Sequence, residues 1–435
     1  MFFSLDVIPA LEGDCFLIHY GSKTDPGLIL VDGGPNRVFP TYLEPRLKQI
    51  RSQRNLDDET PLPIELMIVS HIDDDHIGGL INMTEKLMDS DSPRFEISNL
   101  WHNTFDNIIG HDAKELLSVV TASFGPAALS GEPDLDGLDS SASKVLASVG
   151  QGITLRQNAQ NPKLGIPINS SFGQAEAAQL PLIMAIPNGK PIKIGNELQF
   201  TVIGPMKDEL QALQDEHDNF LTDLKEKLKK NPNDKDAKKL LQSYTDDSVA
   251  NLSSIVLLVE VGEKRILLTG DARGDKILAG LKLAGLLKDG TMHVDILKMP
   301  HHGSDRNMDE EFLRQITADH YVFSGNGDDG NPERATLEYL WNARGSANYT
   351  VHLTYDVGVI DTRREAVWLR KNKIKNRTWT EEEKSLLSLQ CFLDNDKHGD
   401  FNKKIITIEG KKPPVKSGEY PVKPHVIDLL DELGY

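Results

Sequence analysis

The sequence has very little cysteine, since only Cys15 and Cys391 occur among its 435 residues. Two cysteines cannot build a disulfide framework or a thiolate zinc site. Long apolar runs are also missing, and none approaches the roughly 20 residues that a transmembrane helix needs. The first residues carry no basic stretch ahead of an apolar one, so we expect no signal peptide. These absences predict a cytoplasmic protein that does not contact a membrane.

Basic residues are fewer than acidic ones. The sequence has 48 Lys and Arg and 66 Asp and Glu, which gives a formal net charge of −18. An anionic surface repels phosphates, which argues against a broad, non-specific grip on nucleic acid. Hydrophobic residues at 39% and charged residues at 26% indicate a globular protein, not a disordered one. A chain of this length is expected to form one large domain with insertions or appendages.

Strand and helix patterns alternate over residues 1–355, which predicts an α/β (α+β) domain. Two stretches interrupt the alternation. The first, at about 107–180, is rich in Ser, Ala and Gly. The second, at about 207–247, is dense in charged residues and predicts a helical hairpin that turns at Asn231-Pro232-Asn233. Residues 356–435 are expected to form a C-terminal extension that carries a basic stretch.

Four potential metal ligands lie within six residues, directly after the apolar run Ile64–Val69. They are His71, Asp73, Asp75 and His76. A tight loop at a strand end can point them into one cleft. Three consecutive aspartates between two histidines repel one another unless cations neutralise them. Imidazole and carboxylate donors without thiolates are typical of a catalytic zinc, manganese or iron site.

Two further strand ends carry side chains of the same kind. Asp271 follows the apolar run that ends at Thr269, and His301 and His302 follow the run Val294–Met299. Glycines beside them allow close approach of the backbone. An aspartate at a strand end most often caps a helix, and a His-His pair alone is most often a surface feature. Three such clusters together favour a metal centre.

These motifs resemble those of the metallo-β-lactamase superfamily. They are most similar to its ComEC-like branch, which includes a domain of the bacterial competence DNA-uptake proteins. The segment His71–His76 is similar to the family's H-x-H-x-D-H, with Asp at the second His as is common in that branch. Similar segments follow in the family's order, among them Val31–Gly34, Leu267–Asp271 and Lys298–Ser304. The resemblance covers roughly residues 2–345 once the two insertions are skipped.

The resemblance implies a metallo-β-lactamase-like hydrolase domain over residues 1–355, an αββα sandwich with helical insertions. It also implies two divalent metal ions, zinc or manganese, at the strand ends. The expected ligands are His71 and Asp73 for one ion, Asp75 and His76 for the other, Asp271 as the bridge, and His302 to complete a site.

Four other residues receive roles by the same resemblance. His301 would face the substrate or the leaving group, and Asp32 would order the metal loop. The family's third histidine for the first metal has no clear match; His102 either supplies it or is a packed histidine without a metal. The branch often has His-Pro where this chain has Asn331-Pro332, so a ligand or substrate contact at Asn331 is expected to be different or missing.

The implied chemistry is hydrolysis by a metal-activated hydroxide, with Asp75 or Asp271 orienting it and His301 protonating the leaving group. Fold and ligands do not give the substrate. The resemblance and the hard, carboxylate-rich site favour a phosphodiesterase or nuclease. A basic stretch with Trp368 and Trp379 nearby is suited to nucleic acid, although a solvated strand and turn explains it equally well. Its expected contacts are Arg363, Arg364, Arg370, Lys371 and Lys373.

Two other functions are compatible with the same residues. One is hydrolysis of a small ester, thioester or lactam, with the 107–180 insertion as a lid. The other is a partner-docked effector or interaction module, in which the metal site is structural or regulatory and the insertions bind a protein. This second alternative ranks below the enzymatic functions, because none of the expected ligand positions is occupied by an apolar residue.

Overall fold

The computed structural model describes residues 1–110, 140–173, 180–230, 253–408 and 418–435, and the single positions 116, 118, 119, 121, 236 and 240. Part of each predicted insertion lies outside these residues. The predicted turn at 231–233 is among the positions outside them, so the hairpin stays a prediction. Its first half is described and forms a helix, Lys207–Lys230.

The described strands are, in chain order, β1 (Phe2–Val7), β2 (Phe16–Gly21), β3 (Pro26–Val31), β4 (Leu62–Ile64), β5 (Leu66–Ile68), β6 (Phe95–Ile97), β7 (Leu100–Trp101), β8 (Ile192–Ile194), β9 (Leu198–Gly204), β10 (Val256–Val261), β11 (Lys264–Leu268), β12 (Met292–Lys298), β13 (Ile316–Phe323), β14 (Thr350–Leu353), β15 (Ile405–Thr407) and β16 (Val426–Asp428). The α-helices are α1 (Glu44–Gln53), α2 (Asp74–Met88), α3 (Phe105–Ile109), α4 (Ser140–Gln160), α5 (Lys207–Lys230), α6 (Gly274–Leu283), α7 (Glu310–Gln315), α8 (Arg334–Arg344), α9 (Val357–Lys371), α10 (Glu381–Leu387) and α11 (Leu389–Leu393).

These strands form two large mixed sheets. The first has six strands in the order β16-β1-β2-β3-β5-β7, with an antiparallel meander of β1 to β3 followed by the parallel strands β5 and β7. The second has eight strands in the order β15-β14-β13-β12-β11-β10-β9-β8. It is antiparallel from β8 to β11 and parallel from β11 to β15. Strands β4 and β6 form a small parallel pair.

Alternate residues of each sheet face opposite layers, as the period of two in a strand requires. Ile18 of β2 packs between the sheets in one cluster with Ile266 of β11. The adjacent Leu17 packs on the other side, with residues of α1 and α2. Leu267 of the second sheet likewise packs outward against α6, α7 and α8. The layers therefore run helix, sheet, sheet, helix, with a hydrophobic core on each side of each sheet.

The stretch 356–435, predicted as an extension, contributes to both sheets. Strand β15 pairs with β14 in parallel, and β16 pairs with β1 in antiparallel fashion, with Leu5 opposite Ile427. The boundary at residue 355 stays a prediction. The α/β (α+β) class is confirmed. No helix among the described residues combines the length and the apolar character that crossing a membrane requires.

Candidate metal centre

The three predicted clusters lie at the ends of strands that the sandwich brings together. The loop after β5 carries His71 and leads into α2, while Asp271 and His301 follow β11 and β12. One backbone hydrogen bond ties the loop after β5 to the residue before β10, and a second ties the loops after β11 and β12 to each other. The amide of Ile255 donates to the carbonyl of Ser70 at 2.7 Å, and the amide of His301 donates to that of Gly270 at 3.1 Å. The first sheet thus meets the second at this edge.

Four of the predicted side chains converge there: Asp75, His76, Asp271 and His302. One donor atom from each lies within 4.8 Å of the others. Nε2 of His76 is 3.3 Å from Oδ1 of Asp271, and Nε2 of His302 is 3.3 Å from Oδ2 of Asp75. All but Asp75 are buried. This compact group, called the four-residue group below, could hold a metal ion.

Both histidines of the group are oriented through Nδ1. That atom lies 3.1 Å from Oδ2 of Asp32 in His76, and 3.1 Å from Oδ1 of Asp14 in His302. Because an ionised carboxylate only accepts, each Nδ1 carries a hydrogen, and Nε2 offers its lone pair to a metal ion once that ion displaces the second ring proton. Both Nε2 atoms are buried and have no hydrogen-bond partner among the described residues. Metal-binding histidines are typically held by such a carboxylate.

The charges of the group attract positive charge. Burial lowers the pKa of His302, but the carboxylates of Asp271 and Asp14 outweigh burial and raise the pKa to about 9. Burial also opposes protonation of His76, yet Asp271, Asp75 and Asp32 raise its pKa well above the ordinary value. Burial would raise the pKa of Asp271, whereas the neighbouring histidines hold it well below the usual range. A site of this kind is suited to a cation.

A second close set of donors consists of Asp14, Asp32 and His76. Asp32 already accepts from the amide and the hydroxyl of Ser70, at 2.8 and 2.5 Å. Asp14 accepts from the hydroxyl of Ser324 at 2.5 Å and pairs with the ammonium of Lys298. Since these carboxylates already have donors, we interpret the set as the support of the four-residue group.

Lys298, Asp14 and Ser324 received no role in the sequence analysis. Lys298 is 1% exposed, and its Nζ donates to the carbonyl of Gly270 at 2.9 Å and lies 3.7 Å from Oδ1 of Asp271. Burying an ammonium is costly unless anions and acceptors surround it. Lys298 could have been recognised from the sequence, because a lysine at the end of an apolar strand is unusual. Gly13-Asp14 is similar to a segment of the metallo-β-lactamase superfamily, but no local pattern distinguished Ser324.

His71 and Asp73 lie beside the four-residue group. The rings of His71 and His76 are 5.1 Å apart between centroids, and Nδ1 of His71 is 3.7 Å from Oδ2 of Asp73. Both ring nitrogens of His71 and Oδ1 of Asp73 are buried without a hydrogen-bond partner in the described part of the chain. Within that part, neither residue belongs to a set of three close donors. They form a two-donor position, called the His71–Asp73 position below.

His301 is the most open histidine of the centre, with 29% of its side chain exposed. Its Nε2 lies 3.5 Å from Oδ2 of Asp271, and its Nδ1 lies 2.8 Å from Oδ1 of Asn307. The amide nitrogen of Asn307 donates to the backbone carbonyl of Asp271 at 2.9 Å, so its oxygen must accept from His301. Nδ1 of His301 therefore carries a hydrogen, and Nε2 faces the carboxylate of Asp271.

The loop that carries both histidines is strained. His301 and His302 have φ values of 47° and 55° and precede Gly303 at 89°. Left-handed backbone costs a residue other than glycine about 1–3 kcal/mol. Contacts with the carbonyl of Gly303 hold the loop in place, from the amide of Glu333 at 3.0 Å and the hydroxyl of Thr336 at 2.9 Å. Strain held in this way is common at functional sites.

The two uncertain positions, His102 and Asn331, lie outside the described donor sets. His102 is 1% exposed, and its Nε2 would lie 3.6 Å from a Cβ placed on Gly152 of α4. Burial lowers the pKa of His102 to about 4, so the ring is neutral near pH 7. The side-chain amide of Asn331 donates to the backbone carbonyl of His301 at 3.2 Å. The side chain of Asn331 therefore contacts the backbone of the loop that carries the two histidines.

The basic stretch is not a strand; it forms α9 and the turn after it. Arg364 is buried and donates to the carbonyls of Gly330 and Leu387, at 3.0 and 2.7 Å. Trp379 is also buried. Both side chains are therefore used inside the fold; this burial opposes the nucleic-acid contact expected of Arg364, which stays a prediction. Arg363 forms an ion pair with Asp328, while the side chains of Arg370, Lys371 and Lys373 are exposed.

Fold and site together define a mixed α/β protein with a buried His/Asp cluster that could hold a metal ion. No family model matches the chain, and no curated protein is significantly similar to it in sequence. The family resemblance of the motifs therefore bears on function as a proposal.

Proposed function

We propose that the protein is a metal-dependent hydrolase of the metallo-β-lactamase superfamily, in its ComEC-like branch, and that it cleaves phosphodiester bonds. The observation that carries the proposal is the four-residue group, in which two oriented Nε2 atoms and two carboxylates converge. The order of the layers and the position of the group at the strand ends agree with the αββα fold of that family. They support the proposal without depending on overall sequence similarity.

The donors fit two divalent cations, zinc or manganese. The four-residue group would hold one cation, and His71 and Asp73 would hold the other with Asp271 as the bridge. Three buried atoms without partners among the described residues, on His71 and Asp73, support a second cation at this place. Bound divalent cations would supply Lewis acidity, which lowers the pKa of a water molecule and offsets developing negative charge.

The protein's own groups would do the remaining work. Asp75, with 22% of its side chain exposed, is placed to orient a water molecule. His301 would carry a proton on Nε2 for the leaving group, while Asn307 keeps the ring in the required orientation. Asp14 and Asp32 would keep the two metal-binding rings in the correct tautomer.

The carboxylate-rich donor set suits a substrate that binds through phosphoryl oxygen. The exposed side chains of Arg370, Lys371 and Lys373 would attract a polyanion. The net charge of −18 would repel a polyanion from the rest of the protein surface. Such a charge distribution favours an anionic substrate that is drawn to the cations and to one basic surface. It supports a site-directed nuclease or phosphodiesterase over a protein that coats DNA.

A substrate panel tests the proposal. The protein, loaded with zinc or with manganese, is offered bis(p-nitrophenyl) phosphate, cyclic nucleotides, oligonucleotides, p-nitrophenyl acetate, a thioester and a chromogenic lactam. We expect turnover of phosphodiesters, its loss in Asp75→Ala, and normal turnover in Asp58→Ala, which changes an exposed carboxylate. Turnover of esters, thioesters or lactams alone would favour the small-substrate hydrolase. Bound metal without any turnover would favour the partner-docked effector.

A further inference from the structure

The helices of the two insertions share one hydrophobic core. Helix α3 at the start of the first insertion contacts both α4 and α5, and these three helices are called the cap below. The cap core includes Phe105 of α3, Ile153 of α4 and Leu224 of α5. Polar contacts join the same helices. Arg156 pairs with Asp106 at 2.5 Å, and the side chain of Gln214 donates to the carbonyl of Ile109 at 2.7 Å.

Ile72, which lies between His71 and Asp73 in the chain, belongs to this cap core. It is 3% exposed. Val69 and Ile77, which flank the metal loop, pack instead in the core between the first sheet and its helices. The loop therefore places one apolar side chain in the cap, while the residues before and after it pack in the sandwich.

Helix α4 lies directly against Ile72. A Cβ placed on Gly152 would be 3.6 Å from Cγ2 of Ile72, which is an ordinary van der Waals distance. The neighbouring Gln151 donates from its side-chain amide to Oδ1 of Asp74 at 2.5 Å. The cap thus contacts the chain on both sides of Asp73.

We propose that Ile72 is a positioning residue, which anchors His71 and Asp73 to the cap. This inference rests on the proposed function, in which these two residues hold one of two cations. In the four-residue group, the rings of His76 and His302 are oriented by Asp32 and Asp14, which lie outside the cap. Shortening Ile72 therefore weakens cation binding at the His71–Asp73 position and spares the four-residue group.

Metal titration of the chelator-treated full-length protein tests this role without an activity assay. Wild type is expected to bind two Zn²⁺ or Mn²⁺ ions. Ile72→Ala is expected to bind the first ion normally and the second at least tenfold more weakly, whereas Ile72→Val restores most of the affinity. Ile50→Ala is the matched control, because it removes the same atoms from α1, in the core between the first sheet and its helices, and is expected to retain both ions.

A second pair of variants keeps the test decisive if Ile72→Ala does not fold. Gly152→Leu pushes on Ile72 and weakens the second ion, whereas Gly152→Ala adds only an ordinary contact and retains both. Normal binding of both ions in Ile72→Ala and Gly152→Leu would overturn the inference, as would equal weakening of both ions. When the wild type binds two ions, either of these variant results overturns the inference alone and leaves the proposed function standing. Binding of no ion by the wild type would overturn the proposed function as well, and binding of a single ion would overturn the inference.

Discussion

Nδ1 of His302 lies 3.1 Å from Oδ1 of Asp14, although the two residues are 288 positions apart in the chain. Asp14 lies between β1 and β2 of the first sheet, and His302 follows β12 of the second. The hydroxyl of Ser324 donates to the same oxygen at 2.5 Å. A histidine at the edge of one sheet is thus oriented by a carboxylate of the other.

Asp14→Asn should weaken metal binding by the four-residue group about 10–100-fold. The amide is neutral and cannot satisfy both the ring of His302 and the buried ammonium of Lys298. Competition with a chromophoric chelator measures the affinity. Asp58→Asn, at an exposed carboxylate, serves as the control and should match wild type. An unchanged affinity in Asp14→Asn would show that His302 does not depend on this carboxylate.

His301→Asn should lower kcat on phosphodiesters about 10²–10⁴-fold, because it removes the proton carried by Nε2. Asparagine is chosen since it tolerates the left-handed backbone at this position, where φ is 47°. Elemental analysis should show an unchanged metal content. A variant that loses its metal together with its activity would indicate that His301 is a ligand, which contradicts the role proposed here.

The side chains of His320, His352 and His425 form a chain whose protonation should destabilise the fold in acid. His352 contacts His320 at 3.0 Å through Nε2 and His425 at 2.9 Å through Nδ1. Burial, and then the two neighbouring rings, lower the pKa of His352 to about 2. The charged groups that face the chain are Asp295, Asp319 and Lys264 beside His320, and Asp6 beside His425.

Because the folded pKa of His352 lies below the unfolded value of about 6.5, the unfolded state binds more protons between the two values. The stabilisation is present in full above about pH 6.5 and is lost as the pH falls towards 2. We expect up to about 1.4 kcal/mol of lost unfolding free energy per pH unit from this one group. Denaturant unfolding of wild type and His352→Gln at pH 7.5, 6 and 5 measures the slope. Equal slopes in the two proteins would contradict this assignment.

Replacing Arg370, Lys371 and Lys373 by alanine should raise KM for oligonucleotides and leave bis(p-nitrophenyl) phosphate turnover unchanged. A plot of log affinity against log salt concentration has a negative slope. Each lost phosphate contact makes that slope less steep by about 0.7–0.9. A control variant with exposed lysines elsewhere, Lys190, Lys193 and Lys288, replaced by alanine should retain the wild-type slope. The same KM and slope in both triple variants would exclude the C-terminal end of α9 as a nucleic-acid contact.

The sequence alone identified the α/β class and the four side chains that converge as donors. The class follows from alternating apolar periods, which are local properties of the chain. The donors could be recognised because each cluster stands directly after an apolar run. Strands β11 and β12 are neighbours in one sheet, whereas the loop after β5 joins them from the other sheet. The assignment of particular ions to particular donors stays a prediction.

Only the tertiary structure decided how the donors are supported and which basic side chains are free. The carboxylate that orients His302 comes from the other sheet, and sequence spacing carries no information about such a partner. Arg364 lies in a basic stretch, yet the carbonyls of Gly330 and Leu387 bind it inside the fold. In the sequence, Ile72 is simply an apolar residue between two expected ligands. The structure places its side chain in the cap core. The physical reason is that local composition determines which residues cluster along the chain, whereas side-chain direction and long-range partners depend on how the layers pack.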